Sequence, residues 1–283
     1  MGSRTGFLTI SEALRQGTTL LENAGVAAPR LTAEVLLAHA LRQDRVYLFG
    51  HSNDELSELG WIHFGRYLHQ RIAGRPTQYI TKKQEFYGRD FAVSRDVLIP
   101  RPETEHLVEA ALARVRPGDV VVDVGCGSGA IAVTIAVESR ARILATDISW
   151  GALQVAGANA RQLGARVEFV HADLLSCMAP QSTDVVVSNP PYVGLFEAEG
   201  MQREVLDYEP HLALFGGEQG TEVYARLVAQ AREVLRSGGW LLLELGWKSL
   251  DAVSLMLRDG WRDVDTVADL AGIPRVIAAR CTP

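Results

Sequence analysis

From Asp119 onward the chain alternates unbroken apolar runs with helical patterns, and no other feature limits its fold so tightly. Val120-Val121-Val122-Asp123-Val124 leads into a glycine loop and an apolar helix from Ala130 to Val137, and Ile143–Asp147 follows. The series continues through a helix at about 149–163, strands at Val167–His171 and Val185–Ser188, a helix at about 221–236, a strand at Trp240–Leu245, a helix at about 249–258 and a last strand at Arg275–Ala279. Runs without polar alternation are buried on both faces, and strands separated by helices of this length lie parallel. An α/β fold with a mainly parallel sheet is therefore expected, with ligands at the carboxyl edge of the strands.

Residues before this region follow another rule. Leucines, alanines and valines recur at three- and four-residue spacing over Ile10–Ala24 and Leu31–Arg42, and Asn53 is the expected N-cap of a third, longer helix ending near Gly74-Arg75-Pro76. His39, His51, His63 and His69 fall into no metal-ligand spacing, so no metal site is expected. Phe86-Tyr87, Gly88-Arg89-Asp90 and Phe91-Ala92-Val93 suggest a hairpin. The expected organisation is a helical docking domain over 1–80, a hairpin linker over 81–98 and a catalytic domain over 99–283. Thr104 is a candidate cap for a helix reaching about Arg114, with Glu105 at its electropositive start.

Two motifs carry chemistry. Gly125-Cys126-Gly127-Ser128-Gly129 opens a helix directly after a buried strand, so a ligand can approach backbone N–H groups at the positive end of that helix. Asp147 ends the next strand, where a carboxylate accepts from both hydroxyls of a ribose. Asp173-Leu174 follows a third strand on the same edge and can serve an adenine, the carboxylate accepting from its amino group and the leucine covering the ring. Because Ala130 completes a GxGxxA pattern, these residues alone fit a nicotinamide dinucleotide as well as S-adenosylmethionine.

Asn189-Pro190-Pro191-Tyr192 separates these readings. Neither proline can donate to a sheet ladder, so the strand Val185–Ser188 must stop there. The Asn189 side-chain oxygen and the Pro190 carbonyl then stand as fixed acceptors beside an aromatic ring. An amide or aromatic NH2 group is a poor nucleophile because its lone pair is delocalised. Two acceptors that each take one N–H hold the nitrogen with its lone pair free to turn toward an electrophilic methyl group.

Composition narrows the field further. Cys126, Cys177 and Cys281 are scattered singly, which builds neither a disulfide framework nor a metal pattern and suits a reducing compartment. No apolar run approaches the ~20 residues a membrane span needs, and no leader pattern is seen at the N-terminus, so a cytoplasmic protein without membrane contact is expected. The formal charge is −6, and it is unevenly placed: residues 1–90 carry 11 Lys/Arg against 9 Asp/Glu, and residues 91–283 carry 17 against 25. An acidic catalytic region argues against a nucleic-acid base as substrate, because enzymes of that kind neutralise phosphates with a basic track. A nucleic-acid N-methyltransferase is the principal rival; a nicotinamide-dependent oxidoreductase and a catalytically silent binding module are weaker ones.

The glycine loop, Asp147 and Asn189–Tyr192 resemble S-adenosylmethionine-dependent N-methyltransferases. Ile99–Glu105 (IPRPETE), Arg75–Ile80, Glu85–Gly88, Glu209–Gly220 (EPHLALFGGEQG) and Gly238–Trp247 together resemble the HemK/PrmC family, the peptide chain release factor glutamine N5-methyltransferases. The resemblance implies a class I methyltransferase with a Rossmann-like seven-stranded sheet, preceded by a small helical domain that helps dock the release factor. It further implies methylation of the glutamine in that factor's Gly-Gly-Gln loop, leaving S-adenosylhomocysteine, by an enzyme expected to act as a monomer. By position, Gly125, Cys126, Gly127, Ser128 and Gly129 hold the methionine part of the cofactor, Asp147 its ribose, and Asp173 with Leu174 its adenine. Asn189 meets cofactor and substrate, Pro190, Pro191 and Tyr192 frame the glutamine, and Asn189, Pro190 and Tyr192 carry catalysis. Arg101 and Thr104 lie in a motif placed against the cofactor pocket.

Overall fold

Thr9 starts the first helix by a reciprocal cap, its hydroxyl accepting from the Glu12 N–H (3.2 Å) while the Glu12 carboxylate accepts from the Thr9 N–H (2.8 Å). The computed structural model describes residues 8–283. The helices that follow are α1 (Ile10–Asn23), α2 (Pro29–Leu41), α3 (Arg45–Gly50), α4 (Glu58–Ile72) and α5 (Thr77–Thr81). Leu14, Leu21, Leu36, Leu37, Phe64 and Leu68 close their shared core. α4 begins later than expected: its cap is Ser57, whose hydroxyl accepts from the Gly60 N–H, and Asn53 lies in a turn before it. The third-helix pattern had absorbed a polar turn whose serine is the better-placed acceptor.

The second unit begins with a hairpin, β1 (Lys83–Phe86) and β2 (Arg89–Ala92), paired antiparallel through a turn at Tyr87-Gly88. Then come α6 (Glu105–Leu112), β3 (Val120–Val124), α7 (Ala130–Glu138), β4 (Arg142–Asp147), α8 (Trp150–Gln162), β5 (Val167–His171), β6 (Thr183–Ser188) and β7 (Val193–Gly194). The chain continues as α9 (Arg203–Tyr208), α10 (His211–Leu214), β8 (Phe215–Gly217), α11 (Glu222–Val234), β9 (Leu235–Glu244), α12 (Leu250–Met256), β10 (Trp261–Ala268) and β11 (Pro274–Cys281). By compactness α9 groups with the helical unit, where Glu204 pairs with Arg71 (2.5 Å) and the Tyr208 hydroxyl donates to the Ala73 carbonyl (3.1 Å).

Among the described residues the main sheet has seven strands in the order β10-β11-β9-β6-β3-β4-β5. β9, β6, β3, β4 and β5 run parallel, and β11 and β10 add antiparallel at one edge. Alternate residues of the central strands face opposite cores. Val121, Val185 and Val187 pack with Leu107, Ile131 and Leu153 from α6, α7 and α8, whereas Val122, Val124 and Val186 pack with Tyr224, Leu227 and Val253 from α11 and α12. From β3 the chain moves outward through β4 and β5, then returns to place β6 on the other side of β3. That reversal leaves a crevice at the carboxyl ends of β3 and β6, where open α/β sheets bind ligands.

Candidate active site

The glycine loop follows β3, and Asn189-Pro190-Pro191-Tyr192 follows β6, so both motifs sit at the reversal point. They share a cavity of about 280 Å³, within reach of a small-ligand site. Gly125, Cys126, Gly127, Ser128, Asp147, Asp173, Leu174, Asn189 and Pro191 all line it, together with Arg101 and Thr104. Pro190 is buried behind this wall and Tyr192 is half-buried beside it.

The loop is tied down from below. The Gly125 and Cys126 N–H groups both donate to the Thr146 carbonyl (2.8 and 3.0 Å), and the Gly127 N–H donates to Asp147 Oδ2 (2.9 Å). A Cβ on Gly125 or Gly127 would meet nothing within 4 Å, so the loop leaves its open side to a ligand. Gly129 caps α7 in the left-handed conformation, and a Cβ there would lie 3.0 Å from that of Ala156. Asn159, fully buried on α8, completes the support: its Nδ2 donates to the carbonyls of Ser128 (2.9 Å) and Ala92 (3.0 Å), and its Oδ1 accepts from the Ala92 N–H (2.8 Å). Reading the sequence missed Asn159, although a polar residue on the apolar stripe of α8 was the signal for it.

Asp147 offers its carboxylate already oriented, because Oδ1 accepts from the Ser149 N–H (2.8 Å) while Oδ2 holds Gly127, and each oxygen keeps a further lone pair. Asp173 is shared differently, its carboxylate pairing with Arg226 at the cavity margin (2.5 Å). Burial pushes the Cys126 thiol well above its ordinary range, which leaves it an apolar wall rather than a nucleophile.

Asp123 lies at the end of β3 with no exposure. Its Oδ2 accepts from the Ala132 N–H (3.0 Å) and its Oδ1 has no partner among the described residues. Burial raises its pKa to about 7. A carboxyl that keeps its proton longer in the folded chain than in the unfolded one costs stability as pH rises from about 4 to about 7. Asp123→Asn keeps the acceptor for Ala132 and removes this cost. Chemical denaturation should find the variant and the parent alike near pH 4 and the variant more stable by on the order of 4 kcal/mol near pH 8. A difference that does not grow with pH would contradict the assignment.

The IPRPETE corner is held by groups distant in sequence. Buried Glu209 accepts from the Ile99 N–H (3.2 Å) and from Arg101 Nη2 (2.5 Å), while Glu105 Oε1 accepts from the Tyr87 N–H (2.8 Å). Thr104 does not cap α6; it is itself helical in backbone, and its hydroxyl accepts from Asn189 Nδ2 (3.3 Å). The 3₁₀ turn at Pro102–Thr104 carries the chain into the helix and turns this hydroxyl toward the end of β6 instead. Behind them Glu244, at the end of β9, is 3% exposed. Tyr192 has its phenol pushed up to about 12, first by burial and then by the charge of Glu244, with Arg101 and Arg275 opposing. Its ring lies where a Cβ on Gly246 would come within 2.7 Å.

Residues 12–81 match the family model described as PrmC N-terminal domain, and residues 103–205 the one described as methyltransferase small domain. The chain is 49% identical over 278 residues to a release factor glutamine methyltransferase of Koribacter versatilis, covering 96% of this chain and 99% of the relative. It is 43% identical over 285 residues to one of Nitratidesulfovibrio vulgaris, covering 98% and 96% respectively. In fold it is similar to a methyltransferase from Pyrococcus furiosus, with a TM-score of 0.54 at 19% identity over 72% of this chain and 93% of that one.

Proposed function

The chain belongs to the release factor glutamine methyltransferase family, and from that premise we propose that it transfers a methyl group from S-adenosylmethionine to the side-chain amide nitrogen (N5) of the glutamine in the Gly-Gly-Gln loop of a peptide chain release factor. The observation that carries the reading is the Asn189 amide. Its Nδ2 donates to Thr104 Oγ1 (3.3 Å), which leaves Oδ1 on the side away from Thr104, and Asn189 lines the cavity that the glycine loop also lines.

The cofactor supplies a methyl group on a positively charged sulfur, so the nitrogen needs no prior deprotonation. The residues fit such a cofactor: an open glycine cradle for its amino-acid part, Asp147 with spare lone pairs for ribose hydroxyls, and Leu174 with Asp173 at the adenine end. Asn189 Oδ1 and the Pro190 carbonyl accept the two N–H bonds of the glutamine amide, Pro191 and Tyr192 flank it, and both acceptors gain strength as positive charge builds on the nitrogen. The helical unit recognises the body of the release factor, and the enzyme works as a monomer in the cytoplasm. No helix among the described residues is long and apolar enough to cross a membrane.

Incubation with S-adenosylmethionine labelled in the methyl group, offered a release factor in one reaction and RNA in another, tests the substrate. Label in the release factor alone supports the proposal; label in the RNA alone would overturn it in favour of a base N-methyltransferase.

A further inference from the structure

Glu244 takes no part in binding or chemistry as described above, yet it is buried where the end of β9 meets that of β6. Leu243 pairs with Ser188 in the parallel ladder, so the next residues along, Glu244 and Asn189, lie side by side at the carboxyl edge. Its Oε2 is buried without a hydrogen-bond partner among the described residues. A buried carboxyl in an apolar sheet is costly, and the same position filled by an apolar residue would pack without penalty.

We propose that Glu244 is a positioning residue that fixes which way the Asn189 amide faces, acting on the amide beside it and through Thr104. A carboxylate can only accept, so a hydroxyl beside it must donate to it. With its proton so committed, Thr104 Oγ1 is left as an acceptor, and it accepts from Asn189 Nδ2. The amide is thereby locked with Oδ1 away from Thr104, the orientation in which it can receive an N–H from the substrate. If the carboxyl carried a proton, Thr104 could reverse its donation, the amide could turn over, and an NH2 would meet the substrate NH2.

The surroundings of Glu244 agree. Burial raises its pKa to about 7, Thr104 and Asn189 favour its charged form, and Glu103 opposes it. Arg275 from β11 favours the charge and is itself shared with Asp269 (2.8 Å). Tyr192 after β6 and Tyr224 from α11 also face it, both with phenols raised by burial and so neutral across the working range. The Tyr224 hydroxyl donates to the Glu244 carbonyl (2.7 Å) and fixes the backbone at this point. The carboxyl therefore charges near neutrality, and the orientation of Asn189 follows it.

The proposal rests on the methyltransferase reading, so the parent enzyme is assayed first: methyl transfer to a release factor by the parent establishes that reading independently of Glu244. Glu244→Gln keeps size and shape but can donate to Thr104. It should lower kcat roughly tenfold to a hundredfold, as a misoriented acceptor does, while S-adenosylhomocysteine affinity stays within about twofold. The parent's kcat should fall as pH drops through about 7, and this inflection should vanish in the variant. Thr104→Val should match Glu244→Gln, the double variant should be no slower than either, and Thr104→Ser should recover most of the lost rate. Parental kcat with the same inflection in Glu244→Gln would overturn the proposal. Should that variant fail to fold, unchanged turnover in Thr104→Val would overturn it equally, and a loss of turnover repaired by Thr104→Ser would sustain it.

Discussion

Asn189→Ala should abolish detectable methyl transfer, lowering kcat by about a thousandfold, while affinity for S-adenosylhomocysteine falls only a few fold. In the proposed mechanism the side chain supplies one of two acceptors aimed at the nitrogen, and loss of one such preorganised partner costs on the order of a hundred- to a thousandfold in other enzymes. Here the Pro190 carbonyl alone cannot hold the NH2 in one orientation, which places the expected loss at the upper end. The cofactor keeps its main contacts, because the glycine loop is anchored on Thr146 and Asp147 and not on Asn189. Isothermal titration with S-adenosylhomocysteine and single-turnover methyl transfer separate the two effects. Turnover near that of the parent would remove Asn189 from the mechanism.

Gly220→Ala should be nearly as damaging, through the backbone. Gly220 has φ +79°, and a Cβ there would stand 2.3 Å from the Tyr192 carbonyl oxygen and 2.8 Å from the Gly194 nitrogen. The left-handed conformation costs an alanine about 1–2 kcal/mol, and overpacking against backbone adds about 1–3 kcal/mol. Relieving these contacts means pushing the Tyr192–Gly194 backbone away from Gly220, which moves the ring proposed to flank the substrate. Thermal unfolding with kcat measured alongside should show both losses. Gly118→Ala is the comparison: it shares a positive φ (+90°) but a Cβ there meets nothing within 4 Å, so it should lose about 1 kcal/mol and keep its turnover. Equal behaviour of the two variants would mean that the Tyr192 contact does not matter.

Gly220 also shows what reading the sequence leaves out. The strands β3, β4, β6 and β9 were legible because unbroken valine and leucine runs have few other uses, and the motifs at their ends were legible because glycines and prolines report directly on backbone. β10 was not: of its eight residues only Trp261 is buried, so an edge strand facing solvent carries no apolar period to detect. No helix was read from the segment between Gly194 and Phe215, since helices of 6 and 4 residues are too short to show an apolar period. At the candidate site, Gly125–Gly129, Asp147 and Asn189 were singled out by position after a strand. Asn159 and Glu209 were given no role, because their partners lie 31 and 110 residues away and no local pattern announces such pairing; Glu244 was passed over for the same reason, Thr104 being farther off still. Thr104 was read both as a cap and as part of a motif against the cofactor pocket; it lines the cavity, but makes no cap, and its hydroxyl accepts from Asn189.

The most direct test of the central claim, that Asn189 and Pro190 seat a glutamine amide for methylation, is mass spectrometry of a release factor's Gly-Gly-Gln peptide after incubation with the enzyme and S-adenosylmethionine. The prediction is a single added methyl group, located by fragmentation on the glutamine side-chain nitrogen and missing when the Asn189→Ala variant replaces the enzyme. An unmodified glutamine, or a methyl group on any other residue of the release factor, would contradict it.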